Sequence, residues 1–116
     1  MSKQDILVWI DDHAAAFTDM AKQIWDNPEV GYTERFASSL QASALEKEGF
    51  RITRNIGDVS TAFIAEYGSG KPIIGIMGEF DALPGLSQEV GFTESPIVEG
   101  GPGHGCGHNL LGTAGV

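Results

Sequence analysis

A thiol and two imidazoles fall within five residues in Gly103-His104-Gly105-Cys106-Gly107-His108-Asn109, with glycine at alternate positions. Cysteine and histidine are the preferred ligands of zinc and serve other divalent transition ions. Glycine relaxes backbone limits and lets a chain approach a bound ion closely. A Cys-x-His pair in a kinked loop can aim Cys106 and His108 at one point. The competing reading is a buried Cys106 acting as a small hydrophobe, with surface histidines beside it. A second polar cluster, Glu79-Phe80-Asp81-Ala82-Leu83-Pro84, follows an apolar run. Its carboxylates at i and i+2 lie on the same side of an extended chain. The plain alternative is a solvated strand end in which Asp81 opens a turn before Pro84. Residue types and spacing leave both pairs of readings open.

Other chemistries fit less well. The Gly-x-Gly-x-Gly run resembles a phosphate cradle, but a dinucleotide fingerprint joins a strand directly to a helix. Here a long loop precedes it. Gly68-Ser69-Gly70-Lys71 lacks the full phosphate-loop spacing and leads into a strand pattern. A Cys106–histidine nucleophile pair would place nucleophile and base two residues apart, whereas such partners come from distant segments.

Positioning these residues requires elements, and the pattern supplies them. Ile6, Ile10, Phe17, Met20 and Ile24 follow one face of a helix. Ser2 and Asp5 have capping-box spacing at its start, and Asn27-Pro28 stops it. A second helix is predicted from Thr33 to about Glu48, with Phe36, Leu40, Ala44 and Leu45 inward. Gly49 supplies a left-handed end, and Phe50 folds back onto the last turn. Ile52, Arg54 and Ile56 alternate with polar residues as a strand does, and Ala62 to Tyr67 reads as another. Pro72 to Gly78 is nearly continuous in apolar residues, which predicts a central strand covered on both faces. A short helix is expected to open at Asn109. The fold class is α/β, a mixed and largely buried β-sheet flanked by helices. Ligands in such sheets gather beyond strand carboxyl ends, here Glu79 to Pro84.

Composition narrows the partners. The 116 residues carry sixteen Asp and Glu against seven Lys and Arg, a net charge of −9. Every cation lies at or before Lys71, while eleven of the sixteen glycines follow it. Nucleic acid and anionic membrane surfaces both demand clustered cations, so neither is expected. The early apolar run Ile6 to Ile10 is too short for a signal core or a span. Cys106 is the lone cysteine, which excludes an internal disulfide and suits a reducing cytoplasm.

Three motifs carry a resemblance to a known family. Asn27-Pro28-Glu29-Val30-Gly31-Tyr32-Thr33-Glu34 is similar to the Asn-Pro-Glu-x-Gly-x-x-Glu signature of the aminoacylase/carboxypeptidase metallopeptidases. Glu79-Phe80-Asp81-Ala82-Leu83-Pro84 resembles the Asp-x-Asp-Ala-Leu-Pro strand end of the amidohydrolase branch, and Gly105-Cys106-Gly107-His108 its metal loop. The resemblance implies that Cys106 and His108 are metal ligands. It makes Asp81 the carboxylate that supports the catalytic site by orienting a ligand. It implies two divalent ions (zinc, manganese, nickel or cobalt) and hydrolysis of the amide of an N-acyl or aroyl amino acid such as p-aminobenzoyl-glutamate. It also implies a homodimer or a pairing with a related subunit. Glu79 stands where the branch often has Asp, and Asn109 where it often has Asp, so their roles are unassigned. His104 matches no ligand position and is expected to be a loop residue near the substrate path. Glu29 and Glu34 are expected to serve as charge at a helix start and as loop hydrogen bonding.

The family's catalytic Glu-Glu pair and later histidine ligands have no counterpart in these residues. Residues 1–116 therefore read as an N-terminal portion of a catalytic domain, truncated and inactive alone. The alternative class is a non-catalytic accessory module that keeps the loop for structure.

Overall fold

The computed structural model describes all 116 residues. Helix α1 spans Lys3–Asp26, and its start is the predicted capping box, with Ser2 and Asp5 exchanging hydrogen bonds at 2.6 and 3.2 Å. At its other end the Asn27 backbone N–H donates to Ile24. Only the last turns of α1 bury anything: Met20, Ala21 and Ile24. Helix α2 spans Arg35–Lys47 and packs across α1, so that Met20, Ile24 and Ala37 form the core with Leu40, Ala44, Phe80 and Val116 around it.

The face that α2 buries differs from the expected one. Ala37, Ser38, Gln41, Ala42 and Leu45 are inside, while Phe36 is exposed. Small side chains here allow close approach of the neighbouring segments, which the bulk of Phe36 would prevent.

The start of α2 explains both glutamates. Glu34 occupies the cap position without capping by its side chain, which is buried and accepts from the Thr61 hydroxyl at 2.8 Å. Glu29 caps the helix instead. Its two carboxylate oxygens each accept a backbone N–H, from Phe36 and Ala37, at 3.0 Å. A negative group at a helix start satisfies orphan donors and meets the positive end of the helix dipole. A Glu29→Ala substitution is therefore expected to cost about 1–2 kcal/mol of stability, and Glu29→Gln less. Chemical denaturation of the three proteins checks the order.

Gly49 ends α2 at φ 92°, and the Phe50 N–H closes onto the Leu45 carbonyl at 3.1 Å. Strands β1 (Arg51–Arg54) and β2 (Phe63–Glu66) then pair antiparallel, Arg51 opposite Glu66 and Arg54 opposite Phe63. Ile56, read as part of the first strand, lies instead in a short turn at Ile56–Asp58.

The fold is α/β, but the sheet is this hairpin, and the expected central strand is absent. Residues 72–78 form no ladder, and Ile73, Ile74, Ile76 and Met77 are 79–88% exposed. A strand needs a hydrogen-bonding partner as well as an apolar composition, and β1 and β2 satisfy only each other. The segment borders a cavity of about 1000 Å³ together with Leu45, Phe63 and Val116. Helix α3 (His108–Gly115) closes the chain against the end of α1. No helix is long and apolar enough to cross a membrane.

Candidate metal centre

Three chain segments meet where the chemistry was expected. The Ala82 N–H donates to the Glu29 carbonyl at 2.7 Å, joining the Asn-Pro-Glu loop to the tip after Asp81. Leu83 and Gly103 exchange backbone hydrogen bonds, 3.0 Å in each direction, and the Ser87 N–H reaches the Gly101 carbonyl at 2.9 Å. These bridges carry the glycine-rich loop back across residues 82–87. A Cβ on Gly103 would overlap the Leu86 carbonyl, and one on Gly105 would stand 2.6 Å from a Leu86 methyl. The crossing of two loops thus requires glycine at both positions.

Gly107 has φ 82° and caps α3, so the helix opens one residue before Asn109. The left-handed angle is open to glycine without strain. Asn109 is buried inside the first turn, where its amide donates to the Ala21 carbonyl at 3.2 Å and docks α3 on α1.

This turn delivers His108 to the carboxylates. Its Nδ1 lies 2.7 Å from Asp81 Oδ1, and its Nε2 lies 2.8 Å from Glu79 Oε2. Ligand atoms of Glu79, Asp81 and His108 all fall within 4.8 Å of one another. The imidazole is mostly buried, Asp81 is about one-third exposed and Glu79 is 57% exposed. A neutral imidazole has one N–H. When Asp81 accepts it, Nε2 presents a lone pair towards Glu79, and two electron-pair donors face each other. A cation between them resolves that conflict, and a carboxylate behind the ring holds the tautomer that metal-binding histidines adopt. Two ligands of a tetrahedral zinc lie about 3.3 Å apart, so roughly half an ångström of opening admits the ion. The donor set therefore suits a divalent transition metal.

Cys106, the other expected ligand, is exposed with a free thiol, and its sulfur is outside this group. The residue that sequence reading left unassigned, Glu79, is the one the fold brings to His108.

His104 is the second departure. Expected as a loop residue near the substrate path, it does lie in the loop, but it is 5% exposed, and neither ring nitrogen has a hydrogen-bond partner. Burial lowers its pKa, opposed by the Ile24 backbone and by Asp81 and Glu29, while His108 adds to the shift. The sign of its effect on stability follows. Below the ordinary value of 6.5 an unfolded chain takes up a proton that folded His104 refuses. Stability from this group is thus complete above 6.5 and falls with pH until the lowered folded value is reached. In metal-free protein, His104→Gln is expected to flatten that fall, as thermal melts at pH 7.5 and 5.5 would show.

No protein-family model matches the chain. Among curated proteins it is 51% identical to one of the subunits of p-aminobenzoyl-glutamate hydrolase from Escherichia coli strain K12, over 96% of this chain and 24% of that protein. Thermostable carboxypeptidase 2 of Saccharolobus solfataricus is 32% identical over 80% of the chain and 25% of its own length. Hippurate hydrolase of Campylobacter jejuni is 29% identical over 84% and 25%. The chain spans about a quarter of the length of these relatives. Their names describe hydrolases of acyl-amino-acid and peptide amides, and the match to the Escherichia coli protein is long enough to include the Asn-Pro-Glu, Asp81 and Cys106–His108 motifs. The chain belongs to the amidohydrolase branch of the aminoacylase/carboxypeptidase family.

Proposed function

We propose that this chain is part of a metal-dependent hydrolase that cleaves the amide bond of an N-acyl or N-aroyl amino acid. The substrate class is p-aminobenzoyl-glutamate or a close chemical relative. The observation that carries the reading is His108 held at both nitrogens by carboxylates, 2.7 Å from Asp81 and 2.8 Å from Glu79. Relatives that hydrolyse amides support it, and the 51% identical protein acts on p-aminobenzoyl-glutamate by name.

Cys106 and His108 are the ligands in this reading, and Asp81 is a positioning residue that fixes the imidazole. A bound divalent ion would polarise the scissile carbonyl and lower the pKa of a water molecule. The chain's own part is to orient His108, through Asp81 behind it and through Asn109, which locks the start of α3 to α1. The name of that relative specifies a subunit, which supports an assembly of the whole protein either with a related subunit or with a second copy of itself. Two ions need more donors than these residues offer, because a catalytic zinc alone takes three protein ligands. The 116 residues by themselves are expected to bind metal and to turn over little substrate.

Metal content after dialysis, measured on the parent and on Cys106→Ser and His108→Ala, tests the ligands. Hydrolysis of p-aminobenzoyl-glutamate by the whole protein, with and without chelator, tests the reaction. Chelator-sensitive turnover with metal lost in both variants is the expected result. Turnover that resists chelators and is stopped by iodoacetamide would assign a thiol hydrolase instead. Absence of metal from the parent would leave a module that keeps the loop for structure.

A further inference from the structure

We propose that Glu79 is itself a metal ligand, its carboxylate sharing one ion with Nε2 of His108. This rests on the metal-dependent reading above and adds a donor to it.

The argument is one of register. Helix α3 presents His108 and Gly112 on one face, four residues apart. Gly112 receives the backbone of residues 78 and 79 at close range: a Cβ on Gly78 would stand 3.2 Å from the Gly112 Cα, and one on Gly112 would overlap the Glu79 carbonyl. That contact fixes where the Glu79 backbone lies along the helix. One turn nearer the helix start, the Glu79 side chain meets the ring, with Oε2 2.8 Å from Nε2. Asp81 occupies the other ring nitrogen, so Nε2 is the atom left to a metal.

Its exposure of 57% leaves the Glu79 side chain free to open around an ion. Carboxylate oxygen is an accepted zinc ligand and is favoured by manganese. The loop that leads into His108 carries a further unmet polar group, His104, which is 95% buried with both ring nitrogens unpartnered. Glu79 and His108 together supply two donors to one ion, where a catalytic site uses three and keeps a position open.

Cobalt(II) titration of the full chain, followed by visible absorption, tests the assignment. The proteins compared are the parent, Glu79→Gln, Glu79→Asp, Cys106→Ser and His108→Ala. Glu79→Gln keeps the shape of the side chain and removes the anionic donor. It is expected to weaken cobalt binding by about 100-fold, the upper end of what even outer partners of a metal site cost. At saturating cobalt the thiolate-to-metal charge-transfer band should persist, while the ligand-field bands change. Glu79→Asp, which keeps the carboxylate, should lose less than Glu79→Gln. Circular dichroism melts identify any variant that has lost its fold. Parent-like affinity and spectra in Glu79→Gln, with binding lost in His108→Ala, would overturn the role of Glu79 and leave the metal site standing. Failure of the parent to bind cobalt would overturn both.

Discussion

Gly112→Ala is expected to destabilise the protein by about 3 kcal/mol, the upper end of overpacking costs. The added methyl would overlap the Glu79 carbonyl and stand 2.9 Å from Gln41 Nε2. Neither neighbour yields easily. The first is backbone, held on its far side by the bridges that follow Asp81, and Gln41 is itself buried. Relief requires α3 to lift from residues 78–79, which would also lengthen the contact between Glu79 and His108. The variant should therefore lose stability and metal affinity together. Urea denaturation in the absence of metal isolates the first effect. An unchanged midpoint would show that the helix and the segment before Glu79 do not pack as described.

His108→Ala is expected to reduce metal affinity by well over 100-fold, since it removes the imidazole around which both carboxylates are arranged, Nε2 included. Asp81→Asn should have a smaller effect, about 10–100-fold, because it acts through the ring and leaves Nε2 in place. Calorimetric zinc titrations of the two variants give the order directly. A larger loss in Asp81→Asn than in His108→Ala would make Asp81 a ligand in its own right.

What the sequence made legible is local. The Ser2–Asp5 box, the stop at Asn27-Pro28 and the left-handed Gly49 each depend on neighbours a few residues away, and each is present, while the two short strands lie close enough in sequence to pair as a hairpin. The two motifs, far apart in sequence, do meet in the fold, residues 79–83 against 103–108. Illegible features depend on distant partners. The apolar run at 72–78 has strand composition, but composition carries no information about whether another strand lies alongside. The inward face of α2 is set by Glu29 and by what must approach it closely, so the bulkiest apolar residue, Phe36, was a misleading guide. Burial of His104 has no periodic signal in a loop of alternating glycines. The pairing of Glu79 with His108 comes from a glycine contact one helical turn away, which no spacing within either motif reveals.

The uneven anchoring of α1 carries a dynamic consequence. Its 24 residues extend about 36 Å, yet burial is confined to Met20, Ala21 and Ile24 near the far end. The first four turns are held by their own ladder and by the Ser2–Asp5 pair, and an unsupported stretch of that length is marginal in water. Amide deuteration should therefore run as a gradient along this rod, fast up to about residue 16 and slow from Phe17 onwards. The rod would melt inward from its Ser2 end, stopping where Asn109 clasps the Ala21 carbonyl.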